Sequence, residues 1–159
     1  MILSWEELTS TVALLRSQDL VIVTTNGCFD ILHIGHVRYL KEARAYGDVL
    51  IVLINNDSSV RRLKGKARPF ISVNDRAELL DALWAVDYVI IFSDDTPEVL
   101  LREIRPNVHV KGGDYDVEDL PEAAAVKECG GKIVTTGKTM GKSTTELVAG
   151  ILRAIASDI

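Results

Sequence analysis

Asn26-Gly27-Cys28-Phe29-Asp30-Ile31-Leu32-His33-Ile34-Gly35-His36 follows directly on the apolar, β-branched run of residues 20–25. The run reads as a buried strand. Val37, Leu40 and Ala43, at helical spacing after Gly35, read as one face of an amphipathic helix. Both histidines therefore fall in a strand-to-helix turn. At the carboxyl end of a parallel strand such a turn is where open α/β sheets bind ligands, and the helix behind it offers unpaired N–H groups and a positive dipole end to an anion. This is a phosphate site in outline.

Gly27 permits a backbone approach that a side chain would forbid, and Gly35 lets a phosphate lie against the main chain. His33 and His36 are three apart, so at a helix start their rings project to the same side. Two imidazoles there can donate N–H bonds to a phosphorus centre as charge builds on it, without acting as nucleophiles. His-x-Gly-His is short enough to arise by chance. Against that, the chain has only three histidines and two of them share this turn.

The remaining elements are read outward from the turn. Ser4 and Glu7 form a capping box that opens a helix over residues 4–17, with Leu8, Val12 and Leu15 as its apolar stripe. Gly47 is expected to end the second helix in a left-handed conformation. Residues 48–55 are a near-continuous apolar run, the mark of a central parallel strand. Asn55-Asn56-Asp57-Ser58 caps a short helix, and residues 64–70 form a basic loop. A helix over 72–84, a strand over 87–92, a helix led by Pro97, a strand over 108–111, a helix over 121–129, a strand over 132–136 and a helix from Ser143 to about Ala156 complete the chain. This alternation predicts an α/β fold, a doubly wound parallel five-stranded sheet with helices on both faces, in a single domain over residues 1–159 with its core in 20–156.

With 47% hydrophobic and 26% charged residues the composition is that of an ordinary globular domain. A net charge of −5 argues against a nucleic-acid surface. No long apolar run or basic leader is present, so no membrane contact is expected and a cytoplasmic location is the default. Cys28 and Cys129 have neither zinc nor disulfide spacing, and Cys28 reads as a compact buried filler. No metal held by fixed protein ligands is expected.

Four polar loops fall at predicted strand ends: residues 26–36, 55–57 with the Lys64 loop beyond, 111–114, and 137–145. In a doubly wound sheet they open on one edge and can share a cleft. Lys64, Lys66 and Arg68 can clamp phosphates, although a basic loop alone is more often a solvated surface. Ser143, Thr144 and Thr145 offer donors to a phosphate, or serve as ordinary N-caps. Gly112-Gly113-Asp114 suits either a ribose hydroxyl or a simple tight turn. His109 reads as structural. Trp5 and Trp84 read as core or partner-facing anchors, and the first helix suits either a homodimer contact or packing on its own sheet.

The quoted stretch closely resembles the F-D-x-x-H-x-G-H signature of the cytidylyltransferase-like nucleotidyltransferases, which have a Rossmann-like fold within the HIGH superfamily. Ser143-Thr144-Thr145 resembles that family's I-S-T-T signature. Residues 60–65, Arg68-Pro69, residues 75–78, 86–89 and 110–115 are similar to the heptose-1-phosphate adenylyltransferase branch, and the likeness runs from about residue 20 to 151. The resemblance implies attack of a sugar 1-phosphate on the α-phosphate of ATP, with Mg2+ assistance, giving an ADP-sugar and pyrophosphate. It further implies that His33 and His36 stabilise the α-phosphate with Lys64 across the site. Asn26, Gly27, Phe29, Asp30 and Arg68 would line the nucleotide and sugar-phosphate pocket. Lys111, Gly113 and Asp114 would face the nucleoside, and Ser143, Thr144 and Thr145 the outer phosphates.

Gly141-Lys142 departs from the family pattern just before Ser143. The kinase domain often fused to this activity is not recognisable in the chain, so a separate sugar kinase is expected to supply the substrate. Three other readings are a glycerol-3-phosphate cytidylyltransferase, a non-catalytic nucleotide-binding regulatory module, and an aminoacyl-tRNA synthetase fragment. The last is opposed by the lack of room for a tRNA-reading domain.

Overall fold

The computed structural model of the chain describes residues 1–113, 116–137 and 144–157. Its architecture follows from one strand, β3 (Val49–Asn55), in which every residue is buried. Side chains alternate across a strand. Val49, Ile51 and Leu53 thus enter one core while Leu50, Val52 and Ile54 enter another on the opposite face. Each such burial stabilises the fold by roughly 1.5–3 kcal/mol relative to an exposed side chain.

Helices α1 (Trp5–Ser17), α5 (Glu98–Ile104) and α6 (Ala123–Glu128) cover the first core with Leu8, Val12, Leu15, Leu101, Ile104 and Val126. Helices α2 (Ile34–Arg44) and α4 (Val73–Asp81) cover the second with Leu40, Ala43, Ala77 and Leu80. The two layers make the sheet doubly wound.

The sheet has six parallel strands rather than the expected five. The extra strand is β1 (Ile2–Leu3), which pairs with β4 (Tyr88–Phe92) through Ile2 against Val89 and Leu3 against Ile90. Two residues carry no periodicity, so nothing in the sequence marks them as a strand. With β2 (Ile22–Gly27), β5 (Val108–Gly112) and β6 (Lys132–Thr136) the order is β1-β4-β3-β2-β5-β6. The chain reverses its winding direction between β2 and β5. A crevice opens at such a reversal, outside the carboxyl ends of the strands.

Helix α1 carries the expected capping box between Ser4 and Glu7. Helix α4 stops at Asp81, short of Trp84, which is 75% exposed and packs only its ring face under Lys41. Trp5 is likewise exposed, so neither tryptophan belongs to the core. Helix α3 (Asp57–Lys64) ends at the basic loop, and α7 (Thr144–Ser157) closes the described chain. The expected N-cap of α7, Ser143, lies outside the described residues. No helix among the described residues is long and apolar enough to cross a membrane.

Gly47 is not left-handed as expected, since among the described residues the positive-φ glycines are Gly65, Gly113 and Gly130. Its constraint is steric: a Cβ there would lie 2.6 Å from both the Val21 carbonyl oxygen and Val23 Cγ2. Backbone cannot easily yield at that distance. Gly47→Ala is therefore expected to destabilise the protein by about 1–3 kcal/mol, read as a lower urea midpoint at unchanged slope; an unchanged midpoint would count against this packing.

Candidate active site

Strand β2 ends in Asn26 and Gly27, and the chain then turns through Phe29, whose φ of 46° is left-handed. The Phe29 ring folds back over Gly27, where a Cβ would meet Phe29 Cε2 at 3.1 Å. Glycine therefore makes room for the buried aromatic, not only for a ligand. The same ring tilts against His36, with centroids 5.3 Å apart.

His33 is the N-cap of α2, and its Nδ1 accepts the backbone N–H of Gly35 at 3.1 Å. A neutral imidazole that accepts at Nδ1 carries its proton on Nε2. His36 stacks on His33 at 3.9 Å with an interplanar angle of 25°. Its Nδ1 is buried with no hydrogen-bond partner among the described residues. Burial, and secondarily His33, lower the His36 pKa from 6.5 to about 4, so the ring is neutral near pH 7. Tyr39, about one turn past His36 on α2, bonds Thr25 and donates to the Val110 carbonyl at 2.8 Å. The helix bearing the histidines is thereby fastened to both strands of the crevice.

Asp30 is 6% exposed, and its oxygens are committed to the basic loop. Oδ1 accepts the backbone N–H groups of Phe70 and Ile71 at 2.7 and 3.2 Å, while Oδ2 accepts Arg68 Nη1 at 2.6 Å. Asp30 thus fastens the loop to the turn. Arg68 also lies over the Phe70 ring, 4.2 Å from its centroid. Upstream, Arg62 Nε binds Asp95 at 2.7 Å, and Ser59 donates to the Asp94 carbonyl at 2.8 Å. These contacts aim the end of α3, and Lys64 with it.

A fully buried guanidinium sits beneath these loops. Arg76 donates to the carbonyls of Ile71, Cys28 and Asn55 at 3.0, 2.5 and 2.9 Å, and to Asp57 Oδ1 at 2.7 Å. On the other side of the crevice Lys111 Nζ donates to Glu122 Oε1 at 2.5 Å and to Asn26 Oδ1 at 3.0 Å. Burial alone would raise the Glu122 pKa, but His109 and Lys111 outweigh it and hold the carboxyl at about 2.

These groups share one cavity of about 680 Å³. Of the residues singled out from sequence, it is lined by Asn26, Gly27, Phe29, Asp30, His36, Lys64, Arg68, Lys111, Thr144 and Thr145. His33 is not in the lining, but stacks directly on a ring that is. Gly113 is also not in the lining: it has a φ of 121° and donates its N–H to the Thr136 carbonyl at 2.8 Å. Asp114 and Ser143 lie outside the described residues.

The lining also includes Asn55, from the polar loop expected at 55–57, and Glu122, which sequence reading passed over, and Arg76, likewise passed over, braces it from behind. The latter two carried a signal. Arg76 occupies the apolar stripe Val73, Ala77, Leu80, and Glu122 the stripe Ala125, Val126, Cys129. A charge on a buried stripe must be paired or used.

The description "cytidylyltransferase-like" belongs to the family model that matches residues 24–150. The chain belongs to the cytidylyltransferase-like family. By that membership it is a nucleotidyltransferase. The bifunctional protein HldE of Pseudomonas fluorescens is 51% identical over 153 residues, which is 96% of this chain and 32% of the relative. HldE of Geobacter sulfurreducens is 43% identical over 151 residues, 95% of this chain and 31% of the relative. The chain thus spans about a third of the length of these relatives. Among solved structures, a lipopolysaccharide core biosynthesis protein from Thermoplasma volcanium is 32% identical with a TM-score of 0.64, over 75% of this chain and 98% of that one. A pantoate-β-alanine ligase from Francisella tularensis, 16% identical with a TM-score of 0.60 over 86% of this chain and 66% of that one, shares the Rossmann-like fold.

Because its folded pKa is lowered, His36 adds stability above its unfolded value of 6.5, lost as the pH falls toward about 4. NMR of ring-labelled protein is expected to place its titration near pH 4; a midpoint at or above 6.5 would contradict the buried, stacked geometry.

Proposed function

We propose that the chain transfers AMP from ATP to a sugar 1-phosphate, with a heptose 1-phosphate as the preferred acceptor. The observation that carries this reading is the cavity, among the described residues, that joins His36 (on which His33 stacks), Lys64 and the start of α7. An oxygen of the sugar 1-phosphate attacks the α-phosphorus, the bond from that phosphorus to the β-bridging oxygen breaks, and pyrophosphate leaves with the electron pair. The attacking phosphate is already ionised, so no general base is needed.

Catalysis then consists of positioning and charge stabilisation. The neutral ring of His36, with His33 stacked on it, donates an N–H bond to an oxygen of the α-phosphate as charge accumulates there. Lys64 supplies a cation from the opposite loop, with Arg68 beside it. Thr144 and Thr145, in the first turn of the fourteen-residue helix α7, receive the outer phosphates with the aid of the helix dipole. Asp114 and Ser143 keep the nucleoside- and phosphate-facing roles that the family resemblance implies.

Among the described residues no group of three or more His, Cys, Asp or Glu is placed to hold a metal ion. Asp30, Asp95 and Glu122, the carboxylates of the lining, are each tied to an arginine or lysine. Mg2+ brought in with the triphosphate would neutralise part of the phosphate charge, with no residue of the lining assigned to hold it. In this reading residues 1–159 are one nucleotidyltransferase domain, and the likeness of residues 60–65 and 110–115 to the heptose-1-phosphate adenylyltransferase branch supports a heptose phosphate as acceptor.

A pyrophosphate-release assay tests the proposal. Release is expected with ATP plus heptose 1-phosphate and not with CTP plus glycerol 3-phosphate; the reverse pattern would make the protein a cytidylyltransferase. His36→Ala should lower kcat by about 100- to 1,000-fold with ATP binding retained. ATP binding without pyrophosphate release from any sugar 1-phosphate would instead identify a regulatory nucleotide-binding module.

A further inference from the structure

A file of polar groups runs along the sheet face covered by α6 and ends in the cavity. Thr24 and Asn26 are two apart on β2, and His109 and Lys111 two apart on β5. Thr24 pairs in register with His109, which carries Lys111 opposite Asn26. Thr24 Oγ1 lies 2.8 Å from His109 Nδ1, and His109 Nε2 lies 3.6 Å from Glu122 Oε1, short of a hydrogen bond. That same carboxylate oxygen takes Lys111 Nζ at 2.5 Å, and Lys111 in turn holds Asn26 Oδ1 at 3.0 Å. Thr24 and His109 are fully buried and Glu122 is 1% exposed.

Burying a carboxylate is costly unless its partners recover the cost. Here the arrangement has a directional result. Lysine is a donor only, so Asn26 must turn its oxygen toward Lys111 and its NH2 group away from it. Asn26 lines the cavity, and with its oxygen held by Lys111 it has only its two N–H donors left to offer a ligand there. Lys111 meanwhile is neutralised by Glu122 and is no longer a free cation. The site thus exchanges an unspecific positive charge for an oriented, neutral pair of donors.

We propose that Glu122 is a positioning residue that, through Lys111, fixes the Asn26 amide as an N–H donor to a phosphate oxygen of bound substrate. This rests on the nucleotidyltransferase reading above. The phosphate belongs either to ATP or to the sugar 1-phosphate, and separate binding measurements decide which.

The test uses calorimetry with a non-hydrolysable ATP analogue and, separately, with heptose 1-phosphate, alongside kcat and KM. Asn26→Asp keeps an oxygen toward Lys111 but replaces the donors with a second oxygen. It should weaken one of the two ligands by about 100-fold and leave the other near its starting affinity. Glu122→Gln should weaken the same ligand by about 10-fold, raising its KM more than it lowers kcat. In an Asn26→Ala background Glu122→Gln should have no further effect on that ligand.

Should Glu122→Gln fold poorly, the charge-balanced pair Glu122→Gln with Lys111→Met frees the amide and should reproduce the loss. A Glu122→Gln effect that adds fully to Asn26→Ala, falls equally on both ligands, or appears only as lowered thermal stability would overturn the inference. Failure of the parent reading would look different. The unmodified protein would then bind neither ligand, or would bind ATP without releasing pyrophosphate from any sugar 1-phosphate.

Discussion

The guanidinium of Arg76 is the contact on which the site depends. Two strand ends, at Cys28 and Asn55, and the loop before α4, at Ile71, leave carbonyls pointing inward where no strand can pair them, and one side chain with five fixed donors takes all three and Asp57 as well. Lysine could not span that fan of acceptors. Removing the guanidinium would strand buried carbonyls and a carboxylate together, at a cost of several kcal/mol. The turn bearing the histidines and the loop bearing the lysines are thus held by the same group.

Much of the charge around the cavity holds loops in place. Asp30 binds the basic loop through Arg68 and two backbone N–H groups, and Glu122 restrains Lys111. His36 and Lys64 remain among the polar lining groups without such a structural commitment in the described contacts. This division suits phosphoryl chemistry, in which rate comes from fixed donors in a water-poor site and not from covalent participation. The left-handed Phe29 belongs to the same scheme, since backbone strain of this kind persists only where the surroundings over-determine it.

Local pattern revealed most of the fold. The apolar run of β3, the capping box at Ser4 and the helical stripes of α1 and α2 are short-range signals that stand close to where the spacing places them, whereas α4 ends three residues short of the expected Trp84. Strand β1 was not legible, because two residues become a strand only when β4 lies beside them. Gly47 looked like a helix terminator. Its real constraint, the backbone of Val21, comes from the strand it packs on. In the site, the turn and the basic loop stood out by composition, whereas Asn55 required the neighbouring Ser59 and Asp94 to give it meaning. Arg76 and Glu122 are charges on apolar stripes, a local anomaly whose resolution is entirely tertiary.

Loops distant in sequence are thus braced around one cavity whose lining holds both His36 and Lys64. A crystal structure with a non-hydrolysable ATP analogue measures this directly. The α-phosphate is expected within hydrogen-bonding distance of His36 Nε2, with Lys64 Nζ on a phosphate oxygen and the Arg76 contacts to Cys28 and Asn55 unchanged. A triphosphate seated outside the cavity, or inside it but touching neither His36 nor Lys64, would contradict that arrangement.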